Sequence, residues 1–248
     1  MRPLIAAIGL LLAWEGYVWW SEVPPFLLPA PTRVAAALVA RWDILLGHAG
    51  TTATEIVLGL LLGTLLGMGT ALLLAAWRGA RRWVLPLLIA SQAIPVFAIA
   101  PLLVLWLGYG LASKVAMATL IIFFPVATAF YDGLRRTEPG WLDLAATMGA
   151  GRAAVLWRIR VPAALPGLAS GLRVAAAVAP IGAVVGEWVG ASAGLGYVML
   201  QANGRSQTDM MFAALTLLAA MAMALWFATD RLLRALLPWQ PDQLSEEA

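Results

Sequence analysis

WLDLAATMGAGRAAVLWRIRVPAALPG, residues 141–167, is a polar interruption in a chain that is otherwise apolar from end to end. The stretch contains three arginines, two prolines and three glycines. Arginine is costly in the hydrocarbon core of a bilayer, and proline and glycine interrupt helices. We therefore expect this stretch to lie outside the lipid and to separate the membrane spans before it from those after it.

The composition around this stretch is that of a membrane protein. Of the 248 residues, 62% are hydrophobic and 12% are charged, whereas a soluble domain has roughly 25% charged residues. Apolar runs of about twenty residues recur, which is the length that a helix needs to cross about 30 Å of hydrocarbon. The runs are continuous and lack the alternation of a transmembrane barrel. The sequence predicts an all-α, polytopic membrane protein with a single transmembrane domain over residues 1–248.

Six spans are predicted, and the first is interpreted as a retained helix. No small-residue cleavage site follows it, and Trp19 and Trp20 resemble an interfacial anchor, so a signal peptide is disfavoured. After this span, a proline-rich lead-in precedes a short amphipathic helix that is predicted to end near Gly47. The spans cover residues 3–20, 50–77, 83–107, 113–131, 167–189 and 211–236.

The distribution of lysine and arginine predicts the orientation, because cytoplasmic loops carry an excess of both. With the N-terminus inside, eleven arginines lie on the cytoplasmic side and four basic residues lie outside, while Arg173 sits at the inner end of the fifth span. Both termini and residues 141–167 are then expected in the cytoplasm. The inner set is Arg2, Arg78, Arg81, Arg82, Arg135, Arg136, Arg152, Arg158, Arg160, Arg231 and Arg234; the outer set is Arg33, Arg41, Lys114 and Arg205.

Three glycines in the second span, Gly59, Gly63 and Gly67, share one helix face because they are spaced by four residues. Small residues on one face let another helix approach closely. That other helix can belong to the same chain or to a second subunit, and the spacing alone leaves both readings open.

The third predicted span contains three prolines and a polar amide, Gln92, followed by Phe97. Each interior proline frees a carbonyl, which a membrane tolerates where neighbouring helices or a watery cavity satisfy the backbone. The span is thus either a kinked packing helix or a helix that lines a pathway.

Glu187 and Trp188 close the fifth span, and Tyr197 follows in the next loop. A carboxylate at a membrane boundary can be simply solvated, or it can belong to a gate or a translocation path, as intramembrane ionisable groups often do. If it is a path, Gln92, Phe97, Trp188 and Tyr197 offer an amide and aromatic faces that suit a neutral, flat solute.

Catalysis has little support in the sequence. There is no nucleophile elbow, no HExxH and no phosphate-binding GxxxxGK[ST] motif. The chain has no cysteine, and its single histidine, His48, cannot build a usual metal site. We expect no catalytic residue, no metal and no bound cofactor, so any ATP and Mg²⁺ would be used by another chain. The basic residues are spread over loop edges, which disfavours nucleic-acid binding and favours contact with the lipid bilayer.

Within residues 141–167 the pattern predicts two short helices joined by a turn at Gly149 and Gly151. The second helix is expected to run from residue 152 to 161 and to end at Pro162 and Pro166. A segment of this kind can lie on a lipid surface or can dock a soluble partner. Its small residues favour docking, because they let a partner's backbone come close.

The segment resembles the EAA loop of bacterial ABC-importer permeases: an acidic residue, two small residues, then glycine, isoleucine and proline at fixed spacing. Asp143 stands for the usual glutamate and Leu144 for the first alanine, while the other positions match. The resemblance implies a cytoplasmic coupling loop, about 134–166, that inserts into an ATPase. The implied coupling residues are Asp143, Ala145, Gly149, Arg152, Arg158, Ile159 and Pro162.

The wider chain is similar to the nitrate, sulfonate and taurine branch of that family, through LPAPTRV, IAPLLVLWLGYGLASKV, FFPVATAFYDGL and GEWVGASAGLGYVML. This resemblance implies a six-helix permease of a type I importer in the bacterial inner membrane. The implied partners are a second permease copy, forming a homodimer, two cytoplasmic ATPases and an extracytoplasmic binding protein. The last segment is most similar to permeases for the thiamin precursor hydroxymethylpyrimidine, with a sulfonate, taurine or nitrate as the alternative solute. A secondary transporter without an ATPase is a further alternative, although matching broken helices in two halves are not evident.

Overall fold

Eleven helices account for nearly all of the described residues. The computed structural model describes the backbone of residues 2–239 and the side chains of residues 5–239. No strand occurs between residues 2 and 239, as expected from the sequence. The helices are α1 Arg2–Ser21, α2 Pro31–Ala40, α3 Trp42–Ala76, α4 Arg78–Ser91, α5 Val96–Leu107, α6 Leu111–Arg135, α7 Pro139–Thr147, α8 Arg152–Val155, α9 Val161–Gly190, α10 Leu195–Gly204 and α11 Thr208–Leu236, with a π-helical turn, Leu156–Arg160, between α8 and α9.

Four of the described helices are long and apolar enough to cross a bilayer: α3, α6, α11 and the continuous helix Arg152–Gly190. The pair α4 and α5 makes a fifth crossing if it counts as one broken span. α1 coincides with the first predicted span, and its stretch Ile5–Ser21 is apolar but shorter than the others. The chain is therefore a multi-pass membrane protein with about six membrane helices.

α6 lies at the centre of the bundle, between α3 and α9. Each of the three glycines of α3 faces α6: a Cβ at Gly63 would lie 2.7 Å from Ile122, and one at Gly67 would lie 2.9 Å from Val126. Gly59 faces Ala118 in the same way. These glycines thus pack within the chain, where they let two helix backbones approach.

This packing predicts opposite effects for two glycine substitutions in α3. Gly63→Ala places a methyl group against Ile122 and is expected to destabilise the fold by about 1–3 kcal/mol. Gly69→Ala is the matched control, because its Cβ meets nothing within 4 Å and alanine favours a helix by up to about 1 kcal/mol. Thermal unfolding of the purified variants in detergent should show a lower Tm only for Gly63→Ala; equal Tm values would contradict the close contact.

The third predicted span, residues 83–107, is not one continuous helix. α4 and α5 are bent by 101° at the break between Ser91 and Val96, which makes a broken span or a re-entrant loop. Pro95 stands at the N-cap of α5 with extended backbone. Because proline lacks an N–H and restricts the residue before it, the helix stops upstream and a new one begins.

The predicted end of the second short helix at Pro162 and Pro166 is also wrong. The helix continues from Arg152 to Gly190, and both prolines lie inside it. The π-helical turn precedes Pro162 and widens the helix where the ring would otherwise crowd the preceding turn. The second helix of residues 141–167 and the fifth span are therefore one continuous helix.

Two further boundaries differ from the prediction. The amphipathic helix ends at Ala40, not near Gly47, and α3 already begins at Trp42. α10, Leu195–Gly204, was predicted as a loop. Its glycines make the helical pattern hard to recognise in the sequence. Side chains of α3 and α9 stabilise its start.

Candidate functional site

Residues 141–167 contain a sharp turn at Gly149, between α7 and α8. Gly149 has φ of +71°, a left-handed conformation that favours glycine. The N–H of Gly149 donates to Ala146 O at 3.0 Å and that of Ala150 to Ala145 O at 2.9 Å, as in a helix C-cap of the Schellman type. A Cβ at Gly149 would meet nothing within 4 Å. The turn therefore requires glycine for its backbone conformation and not for space within this chain.

Apolar side chains around this turn face the solvent. Trp141 is 51% exposed and Met148 is 77% exposed, while Ala145 is buried against the bundle. Together they border an open groove of about 730 Å³ between α7 and the start of the long helix. Ile159, Pro162 and Arg158 line the same groove, and Asp143 and Arg152 lie exposed beside it.

The second site is a buried polar cluster at the other end of the bundle. Glu187, in α9, is 1% exposed, so the reading of a simply solvated carboxylate is wrong. Its Oε1 accepts a hydrogen bond from Thr52 Oγ1 of α3 at 2.6 Å. Its Oε2 accepts from the backbone N–H groups of Gly196 and Tyr197, the latter at 3.3 Å. A carboxylate at a helix N-terminus is well placed, since the unpaired N–H groups and the helix dipole both favour an anion there.

Side chains of α3 complete this arrangement. Thr52 Oγ1 also accepts from Leu195 N at 2.8 Å, and His48 Nδ1 accepts from Gly194 N at 3.0 Å. His48 lies within α3 and not at a loop edge, and its ring is 5.9 Å from that of Tyr197. Four successive N–H groups at the start of α10 are thus all bonded to side chains of other helices.

Lys114 is buried at the adjoining end of α6, with 3% exposure. Its ammonium group donates to the carbonyls of Tyr109, Gly110 and Gly190, the last at 2.6 Å. Gly190 is the final residue of α9, where the helix dipole favours a cation. Lys114 therefore ties the ends of α5, α6 and α9 together.

Glu55 lies one helical turn below Thr52 on α3 and is 2% exposed. Glu187 and Lys114 are the charged groups close enough to act on it. Its Oε2 has no hydrogen-bond partner among the described residues. The cluster thus contains one buried carboxyl oxygen that has no hydrogen-bond partner among the described residues.

The proposed pathway residues fall into two places. Gln92 and Phe97 flank the α4–α5 bend and are exposed, Phe97 by 56%. Glu187 and Tyr197 meet in the buried cluster, and Trp188 beside them is 43% exposed. Tyr197 also borders a cleft of about 650 Å³, which includes Arg33, Arg41, Arg205 and Asp209.

An ion-pair triad lies between α9 and α11. Arg173 Nε is 2.7 Å from Asp230 Oδ1, and Arg234 Nε is 2.8 Å from Asp230 Oδ2. The triad ties the long helix to the last helix, so Arg173 is paired within the bundle.

Sequence reasoning missed Thr52 and Lys114 and undervalued Glu55. Thr52 carried no usable signal, since a threonine in an apolar span is common. The sequence did contain a usable signal for the cluster: Glu187 is followed by the two glycines Gly194 and Gly196. A Cβ at Gly196 would come 2.7 Å from Glu187 Oε2, and one at Gly194 would collide with the same carboxylate.

Comparison with known proteins gives consistent matches. The family described as "Binding-protein-dependent transport system inner membrane component" matches residues 59–240. A "Probable ABC transporter permease protein" of Haemophilus influenzae is 52% identical over 94% of this chain and 95% of its own length. The "Formylaminopyrimidine transport permease protein ThiX" of Halalkalibacterium halodurans is 39% identical over 98% and 97%. A solved structure of the MetNI methionine ABC transporter matches with a TM-score of 0.69 at 21% identity, over 79% of this chain and 97% of that one.

Proposed function

The chain belongs to the family of binding-protein-dependent transport system inner membrane components, and we propose that it is the permease subunit of an ATP-driven importer for a small pyrimidine, with hydroxymethylpyrimidine or a related thiamin precursor as the solute. The permease role follows from the family. The coupling residues, the partners' copy number and the solute are the parts that we propose.

The observation that carries the coupling role is the exposed apolar surface around the Gly149 turn. Trp141 and Met148 expose large hydrophobic areas beside a groove, on a segment rich in arginine that does not enter lipid. Exposed apolar patches of this kind mark sites of protein contact. The partner is an ATPase subunit, which binds ATP and Mg²⁺, because this chain has no phosphate-binding loop. This chain itself is not an enzyme and carries no metal or cofactor.

The continuous helix Arg152–Gly190 supports a mechanical route between the two sites. A displacement of the groove by the ATPase is passed along this helix to Glu187, and from Gly190 to Lys114 of α6. Two permease copies and two ATPases would make the assembly, with a binding protein that delivers the solute from outside. A differential contact energy of about 3–5 kcal/mol suffices to shift a two-state permease from one form to the other.

The pyrimidine assignment is supported by the likeness of the whole chain to a protein named for formylaminopyrimidine transport. The spans also offer few cations: Arg173 and Lys114 are both occupied, by Asp230 and by backbone carbonyls. An anion path would benefit from free positive charge. A neutral, flat solute can instead use the amide of Gln92 and the rings of Phe97, Trp188 and Tyr197.

Growth tests the solute. A thiamin-precursor auxotroph that carries the full transporter is expected to grow on low hydroxymethylpyrimidine, and deletion of this chain should abolish that growth. The control is growth of the deletion strain on thiamin itself. If deletion spares growth on the pyrimidine but removes growth on a sulfonate as sulfur source, the pyrimidine is excluded and the sulfonate alternative holds.

Both termini and the Gly149 turn are proposed to be cytoplasmic, on the eleven-to-four distribution of basic residues. Because the chain has no cysteine, single cysteines report accessibility directly. A membrane-impermeant maleimide added to intact cells should label Ser206→Cys and should leave Ala154→Cys unlabelled until the cells are opened. External labelling of position 154 would overturn both the orientation and the docking role.

A further inference from the structure

We propose, building on the permease function above, that α10 is the outer gate of the pathway and that His48, Thr52 and Glu187 are the positioning residues that hold it closed. The observation behind this proposal is the capture of the N-terminus of α10. The N–H groups of Gly194, Leu195, Gly196 and Tyr197 donate to side chains of α3 and α9, and α10 has no cap of its own.

Three side chains, those of His48, Thr52 and Glu187, form a clamp on the start of α10. Thr52 is its central member, since its hydroxyl donates to Glu187 at 2.6 Å and accepts from Leu195 N at 2.8 Å. Removal of this hydroxyl breaks both bonds at once. The clamp therefore joins α3, α9 and α10 through one buried oxygen atom.

α10 can move as one rigid helix, because a turn lies at each of its ends. It is a ten-residue helix between two turns, one at Gly194 with φ of +112° and one at Ser206 with φ of +56°. The N–H groups at its start bond to the clamp, and residues 197, 198, 201 and 202 of the helix border the cleft that contains Arg33 and Arg205. Release of the clamp would open the buried cluster to that cleft.

The closed conformation also buries a polar atom without a hydrogen bond, and this cost favours release of the clamp. Glu55 is buried beside Glu187 with one oxygen that has no hydrogen-bond partner among the described residues. A buried polar atom without a hydrogen-bond partner destabilises the conformation that buries it. Opening to water removes this cost and so offsets part of the loss of the clamp bonds.

Cysteine accessibility measures the gate directly. Ala202 lies on α10 and is 3% exposed, whereas its neighbour Asn203 is exposed. In the assembled transporter without binding protein, a water-soluble maleimide should label Ala202→Cys slowly and Asn203→Cys fast. Adding Thr52→Val should raise the labelling rate of Ala202→Cys at least tenfold, while Thr52→Ser, which keeps the hydroxyl, should leave it slow.

Thr54→Val is the matched control, because Thr54 is exposed on α3 and bonds only to Gly50 O of its own helix. Thr52→Val should also raise ATP hydrolysis in the absence of binding protein, and Thr54→Val should not. A labelling rate at position 202 that is the same in Thr52→Val as in the unmodified clamp would overturn the gate. Uptake by the unmodified transporter is measured in parallel: absent uptake counts against the permease function, whereas intact uptake with unchanged labelling counts against the gate alone.

Discussion

Gly149→Asp is expected to leave the permease folded and inserted, yet to abolish its capture of the ATPase. The chain can accommodate the substitution, because a Cβ at this position meets nothing within 4 Å and aspartate tolerates left-handed backbone better than most residues. The carboxylate would be buried without a partner where the ATPase packs, at a cost of about 2–4 kcal/mol, or roughly 30- to 1,000-fold in affinity. Co-purification of the ATPase with tagged permease, and its stimulation by binding protein, measure this loss.

Gly140→Asp is the control for that experiment. It adds the same charge at the start of α7, where a Cβ also meets nothing within 4 Å and where an anion suits the helix N-terminus. It should retain the ATPase. Normal ATPase capture by Gly149→Asp would show that the turn at residue 149 does not contact the motor.

Gly194→Ala is expected to have the largest effect on the fold, at the start of α10. Gly194 has φ of +112° and ψ of 163°, a region almost restricted to glycine, and leaving it costs about 1–3 kcal/mol. The added methyl group would collide with the carboxylate of Glu187, for about another 1–3 kcal/mol. Tm in detergent should fall by several degrees, and solute uptake should be lost.

Gly204→Ala serves as its control at the other end of α10, where a Cβ meets nothing within 4 Å. That variant should keep the Tm and the uptake of the unmodified protein. If Gly194→Ala matches it in both measurements, the capture of α10 by Glu187 is wrong.

The apolar runs and the spacing of glycines predicted the helical class, four of the long spans and the face of α3 that bears Gly59, Gly63 and Gly67. These features depend on local composition and on one helix period, which a sequence displays directly. The predicted helix ends near Gly47 and at Pro162 were wrong, because the position of a helix end depends on the conformation of a single turn. A π-helical turn upstream of Pro162 has no composition that distinguishes it from an ordinary helical turn.

The site at Gly149 was found because its signal is local: arginine, glycine and proline within one stretch. The buried cluster at Glu187 was not found, because it joins Thr52 to Glu187 across 135 positions of the sequence. Each of its members alone has an ordinary explanation, and only their meeting at the start of α10 distinguishes them. Whether α4 and α5 bend sharply also depends on what packs beside them, which the three prolines do not specify.

We propose that this chain moves its solute only when a partner hydrolyses ATP, and uptake into proteoliposomes measures this dependence. Permease, ATPase and binding protein are reconstituted, and uptake of labelled hydroxymethylpyrimidine is followed with ATP, without ATP, and with an ion gradient in place of ATP. Uptake is expected only with ATP and all three components, together with a matching rise in ATP hydrolysis. Uptake that is driven by an ion gradient through this chain without the ATPase would contradict the proposed ATP dependence and would identify a secondary transporter.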